Sequence, residues 1–311
     1  MPLSEDVRRE LAAVEPHRRC DRLAELSGLF HTGGSFHLRG HGELAVELDL
    51  AASAVARRAF GLVRSFGVDA EIRTYSRRAF DRATRYQLHV AGTARALGTL
   101  HEGGVLSARH APLDVPPKRV VGRSCCRRAY LRGALLGAGS VSGPRSPHLE
   151  IRTASRAGAE LLRWVAAQEG VPLRVYDRGR HAIAYAKGAE AIADALALAG
   201  ASDAALAIDE HAVVAEARAR ANRIANADHA NLVRASRAAH EQVQAIHRLD
   251  REGGLPRLSL PLREIADLRL RYPSASLREL AAKCRPPATK AAAHRRLAKL
   301  VDLAEHDLQR T

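Results

Sequence analysis

The stretch LSGLFHTGGS at residues 26–35 decides the fold, and the chain repeats it as LRGALLGAGS at residues 131–140. Each copy is typical of an apolar helix that runs into a glycine–serine turn and then a strand. Small residues recur at every fourth position and therefore lie on one helix face. They are Ala24, Gly28 and Thr32 in the first copy and Ala129, Gly133 and Gly137 in the second. This stripe predicts a close helix seam at Gly28, Gly133 and Gly137.

The sequence after each motif indicates an internal duplication. Strand, helix, strand and strand patterns occupy residues 43–50, 51–66, 71–75 and 86–91, and again 148–153, 156–169, 173–176 and 183–187. The copies lie 105 residues apart at Gly28 and Gly133, and 103 apart at Gly67 and Gly170. Two αββαββα units in tandem explain this pattern. The prediction is an α+β domain over residues 1–203, with repeats at about 1–105 and 115–203.

Composition and charge restrict the class of protein. The 311 residues carry 49 Lys and Arg against 34 Asp and Glu, a net charge of +15. This length is typical of about two domains. The charge favours an anionic partner, nucleic acid first, with a merely solvated basic surface as the alternative. No apolar run reaches the ~18 residues that a membrane-spanning helix needs, so the expected location is the cytoplasm.

The four cysteines and the histidines contain no recognisable metal motif. Neither a CxxC pair nor a Cys/His spacing suited to zinc occurs, and HExxH is absent. Adjacent Cys125 and Cys126 could be redox-active, but idle thiols in a reducing cytosol are favoured. A phosphate-binding glycine loop is also missing. No metal and no cofactor is therefore predicted.

Basic residues concentrate at the entrance to the second repeat. Residues 115–149 contain seven Lys and Arg and no acidic residue, whereas residues 1–50 contain six against nine acids. We call six of these residues the secondary basic patch: Lys118, Arg119, Arg123, Arg127, Arg128 and Arg132. The patch is either a surface for nucleic acid or a partner, or a solvated linker.

The C-terminal third is predicted to be helical. Residues 204–228 are expected to form a helical linker, and Asp228 to cap a new helix that begins near His229 and opens a domain at 229–311. Further helices are predicted at 261–271, 277–283 and 290–304. Ser276 and Glu279 have the spacing of a capping box, and Thr289 is placed to cap the last helix.

The last two helices and their proline turn predict a helix-turn-helix at residues 276–309. The basic second helix would enter the major groove by its N-terminal end, where backbone N–H groups also favour phosphate. The alternative is a helical hairpin with a solvated basic face. The predicted DNA-contacting residues are Ser276, Arg278, Arg285, Thr289, Lys290, His294, Arg295, Arg296 and Lys299.

The repeated motif resembles the LAGLIDADG motif of homing endonucleases. The second copy, RAYLRGALLGAGSVS at residues 128–142, resembles the most recognisable block of the WhiA family. Residues 4–11, 222–231 and 275–280 share this resemblance, as do Pro286-Pro287 and Thr289-Lys290, so it covers nearly the whole chain.

The resemblance implies a monomeric LAGLIDADG-like platform, followed by an all-α domain similar to region 4 of bacterial sigma factors. It implies a nucleoid-associated transcription regulator of sporulation, cell division and chromosome segregation that binds double-stranded DNA. In actinobacterial relatives it also implies a partnership with a WhiB-type iron–sulfur protein.

Homing endonucleases hold divalent metals with a carboxylate at the penultimate position of each motif. The matching positions here are Gly33 and Ala138, which cannot bind a metal. A protein that is not an enzyme is therefore expected. Two alternatives stay open: a nuclease with displaced carboxylates such as Glu25, Glu43 or Glu47, and a platform that mainly docks a protein.

Overall fold

The computed structural model describes residues 3–38, 44–76, 84–142 and 147–306. Glu43 and the last residues of the predicted helix-turn-helix lie outside these ranges. The chain divides into two compact units, Met1–Glu216 and Ala217–Thr311. Each unit is described by itself below.

The first repeat of unit 1 is an αββαββα arrangement preceded by a helix. Its elements are α1 (Leu3–Ala13), α2 (Arg19–Gly33), β1 (Gly34–Leu38), β2 (Leu44–Leu50), α3 (Ser53–Arg64), β3 (Glu71–Ser76), β4 (Thr84–Ala91) and α4 (Ala94–Glu102). The strands form an antiparallel sheet in the order β1-β2-β4-β3. In β2, Val46, Leu48 and Leu50 are buried whereas Asp49 is exposed, which is the alternation of a half-buried strand.

The second repeat reproduces this arrangement. After the short helix α5 (Lys118–Val121) come α6 (Ser124–Ala138), β5 (Gly139–Val141), β6 (His148–Thr153), α7 (Arg156–Ala167), β7 (Arg174–Arg178), β8 (His181–Lys187) and α8 (Ala189–Ala199). The second sheet has the matching order β5-β6-β8-β7. The predicted duplicated α+β fold is therefore confirmed, with helix and strand ends within a few residues of those expected.

Helices α2 and α6 run in the same direction and touch along their glycines. A Cβ atom on Gly28 would lie 2.2 Å from the carbonyl oxygen of Tyr130, and one on Gly133 would lie 2.1 Å from that of Glu25. At Gly137 a Cβ atom would lie 2.2 Å from the Thr32 hydroxyl. The backbones approach this closely because no side chain separates them. The seam lies in a single hydrophobic core that serves both repeats.

Helix α9 (Ser202–Arg251) is one helix of 50 residues and leads from unit 1 into unit 2. The expected new helix near His229 is wrong, and Asp228 lies inside α9. No proline or glycine interrupts residues 205–250, and the residues around Asp228 are exposed, so its carboxylate stays in water without ending the helix. Within the described ranges, no helix is both long and apolar enough to cross a bilayer.

Unit 2 continues with α10 (Leu260–Arg271), α11 (Leu277–Lys283) and α12 (Lys290–His306). These bounds agree with the three helices predicted at the C-terminus. Their apolar faces pack with the end of α9 into a separate core, whose fully buried members include Ile246, Ile265, Leu280 and Leu297. Unit 2 is thus an all-α fold with its own core.

Candidate nucleic-acid interface

The turn before α11 is closed by a reciprocal capping box. The Ser276 hydroxyl accepts a hydrogen bond from the Glu279 backbone N–H at 3.3 Å, and the Ser276 N–H donates to the Glu279 carboxylate at 2.8 Å. Hydrogen bonds from Ser276 to the carboxylate, first of all from its backbone N–H, hold the pKa of Glu279 below its ordinary value of 4.5. The predicted cap is present, and it fixes where α11 begins.

Helix α12 has one apolar and one basic side. Its buried positions are Ala293, Leu297, Leu300 and Ala304. Its exposed basic and histidine residues are Lys290, His294, Arg295 and Lys299. Thr289 caps the helix, as predicted, by accepting a hydrogen bond from the Ala292 N–H at 3.1 Å. The N-terminal end of α12 therefore presents a capped helix start and exposed basic side chains together.

Neighbouring Arg295 and Arg296 have different surroundings. Arg295 is exposed, but Arg296 is half-buried with its Nη1 atom 3.9 Å from the Cys284 sulfur. Arg296 and Arg285 line a depression of about 550 Å³ that also includes Glu264. Successive residues on a helix are about 100° apart, so the two side chains point to different sides. The two arginines therefore do not present their side chains to one surface, and DNA contact by either of them stays a prediction.

Arg269 is a residue that the sequence pattern did not single out. Its side chain is buried, and its Nη1 atom donates to the carbonyl oxygens of Pro273 at 3.2 Å and Ala275 at 2.7 Å. Burial lowers the pKa of Arg269. These hydrogen bonds fix the turn between α10 and α11. Ser276 and Arg278, just after this turn, are exposed.

The secondary basic patch is not one continuous surface. Arg132 is buried and lies 2.8 Å from Glu25, and its Nη1 atom donates to the Ala199 carbonyl oxygen at 3.2 Å. Arg127 is half-buried and lies 2.7 Å from Glu169. These two residues are structural, because each is paired with a carboxylate inside unit 1. Lys118, Arg119, Arg123 and Arg128 remain exposed.

Glu25, one of the displaced carboxylates considered above, is held inside unit 1. It is fully buried, and both of its oxygens accept hydrogen bonds from Arg58, at 2.7 and 3.1 Å. Arg132 donates two more, at 2.8 and 2.9 Å. A carboxylate bound in this way by two guanidinium groups is not free to bind a metal. Glu47 lies on the sheet surface, hydrogen-bonded to Gln87 and His89.

A depression of about 540 Å³ opens at the C-terminal end of α6, where it includes Ala138. We call its four basic residues the arginine depression: Arg8, Arg85, Arg152 and Arg178. Two carboxylates, Asp49 and Glu150, also line it, so positive charge is in excess. Burial and the nearby charge of Arg85 lower the pKa of Arg8. The four arginines come from four separate elements, so no local sequence pattern brings them together.

The fold defines a class of two-domain proteins: a duplicated αββαββα unit joined along a glycine seam is followed by a capped helix-turn-helix. Three family models match this chain. They are described as a WhiA N-terminal LAGLIDADG-like domain at residues 19–99, a WhiA LAGLIDADG-like domain at 127–218 and a WhiA C-terminal HTH domain at 221–304.

Curated relatives match over almost their whole length. A "Probable cell division protein WhiA" of Heliobacterium modesticaldum is 35% identical over 307 residues, which covers 98% of this chain and 96% of the relative. The protein of the same name from Symbiobacterium thermophilum is 37% identical over 301 residues and covers 96% of each chain. The chain belongs to the WhiA family.

Solved structures show the same fold. "Crystal structure of full-length DUF199/WhiA from Thermatoga maritima" matches with a TM-score of 0.59 and 22% identity, over 98% of this chain and 99% of that one. An isolated N-terminal LAGLIDADG domain of DUF199/WhiA matches with a TM-score of 0.51 and 19% identity, over 63% of this chain and 89% of that one.

Proposed function

We propose that this chain is a DNA-binding transcription regulator of WhiA type that reads its site with the exposed side of α12. The observation that carries the proposal is the basic, Thr289-capped N-terminal end of that helix. Lys290, His294 and Arg295 are exposed in its first two turns, and basic side chains beside a helix N-terminus suit a phosphate or a base edge in the major groove.

The relatives' printed names support a role in cell division. Curated relatives are named as probable cell division proteins. We extend this role to the present chain and add sporulation and chromosome segregation, which the family resemblance implies. A monomer at the nucleoid is part of the same proposal, and so is a WhiB-type iron–sulfur partner. Light scattering of the purified chain and a pulldown with such a protein test the last two points.

The LAGLIDADG-like part is proposed to be non-catalytic. Gly33 and Ala138 stand where metal-binding carboxylates would be needed, and Glu25 is occupied by Arg58 and Arg132. Supercoiled DNA incubated with the protein and Mg²⁺ should stay intact. Nicking that survives purification controls would favour the nuclease alternative.

A gel-shift titration with full-length protein tests the α12 surface. Arg295→Ala should weaken specific binding about ten-fold, the effect of losing one good base contact. Arg237→Ala is the matched control, because it removes the same charge from an exposed position of α9 in the same unit. Equal losses in the two variants would move the DNA-contacting surface away from α12.

The arginine depression allows the platform's role to be tested in the intact chain. If the platform also touches the DNA backbone, Arg152→Ala/Arg178→Ala should reduce the slope of log K against log salt by about 2, since each phosphate contact contributes roughly 0.9. An unchanged slope would favour the alternative in which the platform docks a protein and unit 2 alone binds DNA.

A further inference from the structure

Three of the four cysteines meet at one end of the helix seam. Cys20 and Asp21 lie in the first turn of α2, and Cys125 and Cys126 lie in the first turn of α6. These are matching positions of the two repeats, because both pairs are 105 residues apart. The seam holds α2 and α6 side by side in the same direction, so their first turns come together. Spacing along the chain, which showed no zinc motif, could not reveal this.

The four ligand atoms have the separations that a tetrahedral ion needs. The three sulfur atoms and one Asp21 oxygen all lie within 4.8 Å of one another. The Cys125 and Cys126 sulfurs are 3.9 Å apart. Zinc–sulfur bonds of about 2.3 Å in a tetrahedron place neighbouring sulfurs about 3.8 Å apart. A single zinc-sized ion therefore fits with little movement.

The same Asp21 oxygen is the centre of the hydrogen bonds in the cluster. The Cys20 thiol donates to it at 3.4 Å and the Cys126 thiol at 3.6 Å. Two thiol protons thus point at one carboxylate oxygen, in the place where a cation would lie. A bound cation would displace these protons to solvent and leave thiolates as ligands.

Two opposing effects act on the thiols at the ends of both helices. The positive partial charge of each helix N-terminus stabilises an anion, whereas burial raises the pKa of the Cys126 thiol. A bound cation would add the positive charge that favours thiolates. Cys126 is buried, and the other three residues are half-buried, so the site is shielded but reachable.

We propose that Cys20, Asp21, Cys125 and Cys126 form a structural zinc site that joins the first turns of α2 and α6. Three sulfurs and one oxygen suit zinc, whereas Mg²⁺ and Ca²⁺ require oxygen ligands. The site lies at the opposite end of the seam from Gly33 and Ala138. It lies in unit 1, whereas α12 lies in unit 2.

Zinc content of the full-length protein tests the proposal. The protein is purified with reducing agent, stripped with a chelator, incubated with Zn²⁺ and dialysed, and its bound metal is measured by mass spectrometry. Wild type should retain a single zinc ion per chain and melt at a higher temperature than the stripped protein. Co²⁺ should give the sulfur-to-metal charge-transfer absorption of a thiolate site.

Cys284→Ser is the matched control for Cys126→Ser. Both change a buried thiol to a hydroxyl, but Cys284 lies in unit 2 and its thiol donates to the Leu280 carbonyl oxygen. Cys284→Ser should bind zinc like wild type, and Cys126→Ser should bind at least ten-fold more weakly. If Cys126→Ser does not fold, Cys20→Ser at a half-buried position makes the same test. The proposal is overturned if cluster and control variants hold equal zinc, or if reduced wild type holds none.

Discussion

Replacing Gly28 by alanine should drive the two central helices apart. The new Cβ atom would lie 2.2 Å from the Tyr130 carbonyl oxygen and 2.8 Å from the Ala134 nitrogen, whereas ordinary contacts are 3.4 Å or more. Both obstacles are backbone atoms of α6, which cannot rotate away as a side chain can. The helices must therefore separate by about 1.2 Å, the difference between 2.2 and 3.4 Å.

The expected loss in the free energy of unfolding lies in the upper part of the range for overpacked cores. Such substitutions lose about 1–3 kcal/mol, and the seam lies in the core shared by both repeats. Alanine regains about 1 kcal/mol of helix propensity. We expect a net loss of about 2 kcal/mol, which would lower the melting temperature of unit 1 by roughly 4–8 °C.

Gly61 and Gly98 provide the control because they are also helical. A Cβ atom at either position meets no atom within 4 Å. Gly61→Ala and Gly98→Ala should therefore raise the stability by about 0.5–1 kcal/mol. Differential scanning calorimetry of the full-length variants measures all three changes. If the melting temperature of Gly28→Ala equals or exceeds that of the two controls, the close seam is not what holds α2 against α6.

Two further predictions concern charged groups. Arg132→Met should lower the free energy of unfolding in a urea titration by about 3 kcal/mol, because it leaves the buried Glu25 with Arg58 alone. Arg128→Met, at an exposed position of the same helix, should change this free energy little. Equal effects of the two variants would contradict the burial of Arg132 against Glu25. The pKa of Glu279 lies below 4.5 in the folded protein, so the charged carboxylate of the cap stabilises unit 2 fully above pH 4.5. This stabilisation is lost as the pH falls through the pKa of the folded protein. Glu279→Gln should flatten this acid dependence of the melting temperature, and an unchanged pH profile would rule the cap out as its source.

The sequence alone determined the duplication, the strand and helix ranges and the capped helices of the tail. Each of these depends on contacts between residues close in the chain. The period of two in β2 and the spacing from Ser276 to Glu279 are local patterns, and neighbouring residues are enough to satisfy them. The error at Asp228 has the same origin, because a capping residue type was present although the helix continued through it.

Only the tertiary structure decided which of the charged and sulfur-containing residues are accessible and which meet. Arg132 and Arg128 are four residues apart in one basic stretch, yet one is buried against Glu25 and the other is exposed. Cys20 and Cys126 are 106 residues apart, yet their thiols donate to the same carboxylate oxygen. The physical reason is that the distances between these side chains depend on how α2 and α6 pack. The seam glycines set that packing, and the identity of the charged and sulfur-containing residues does not.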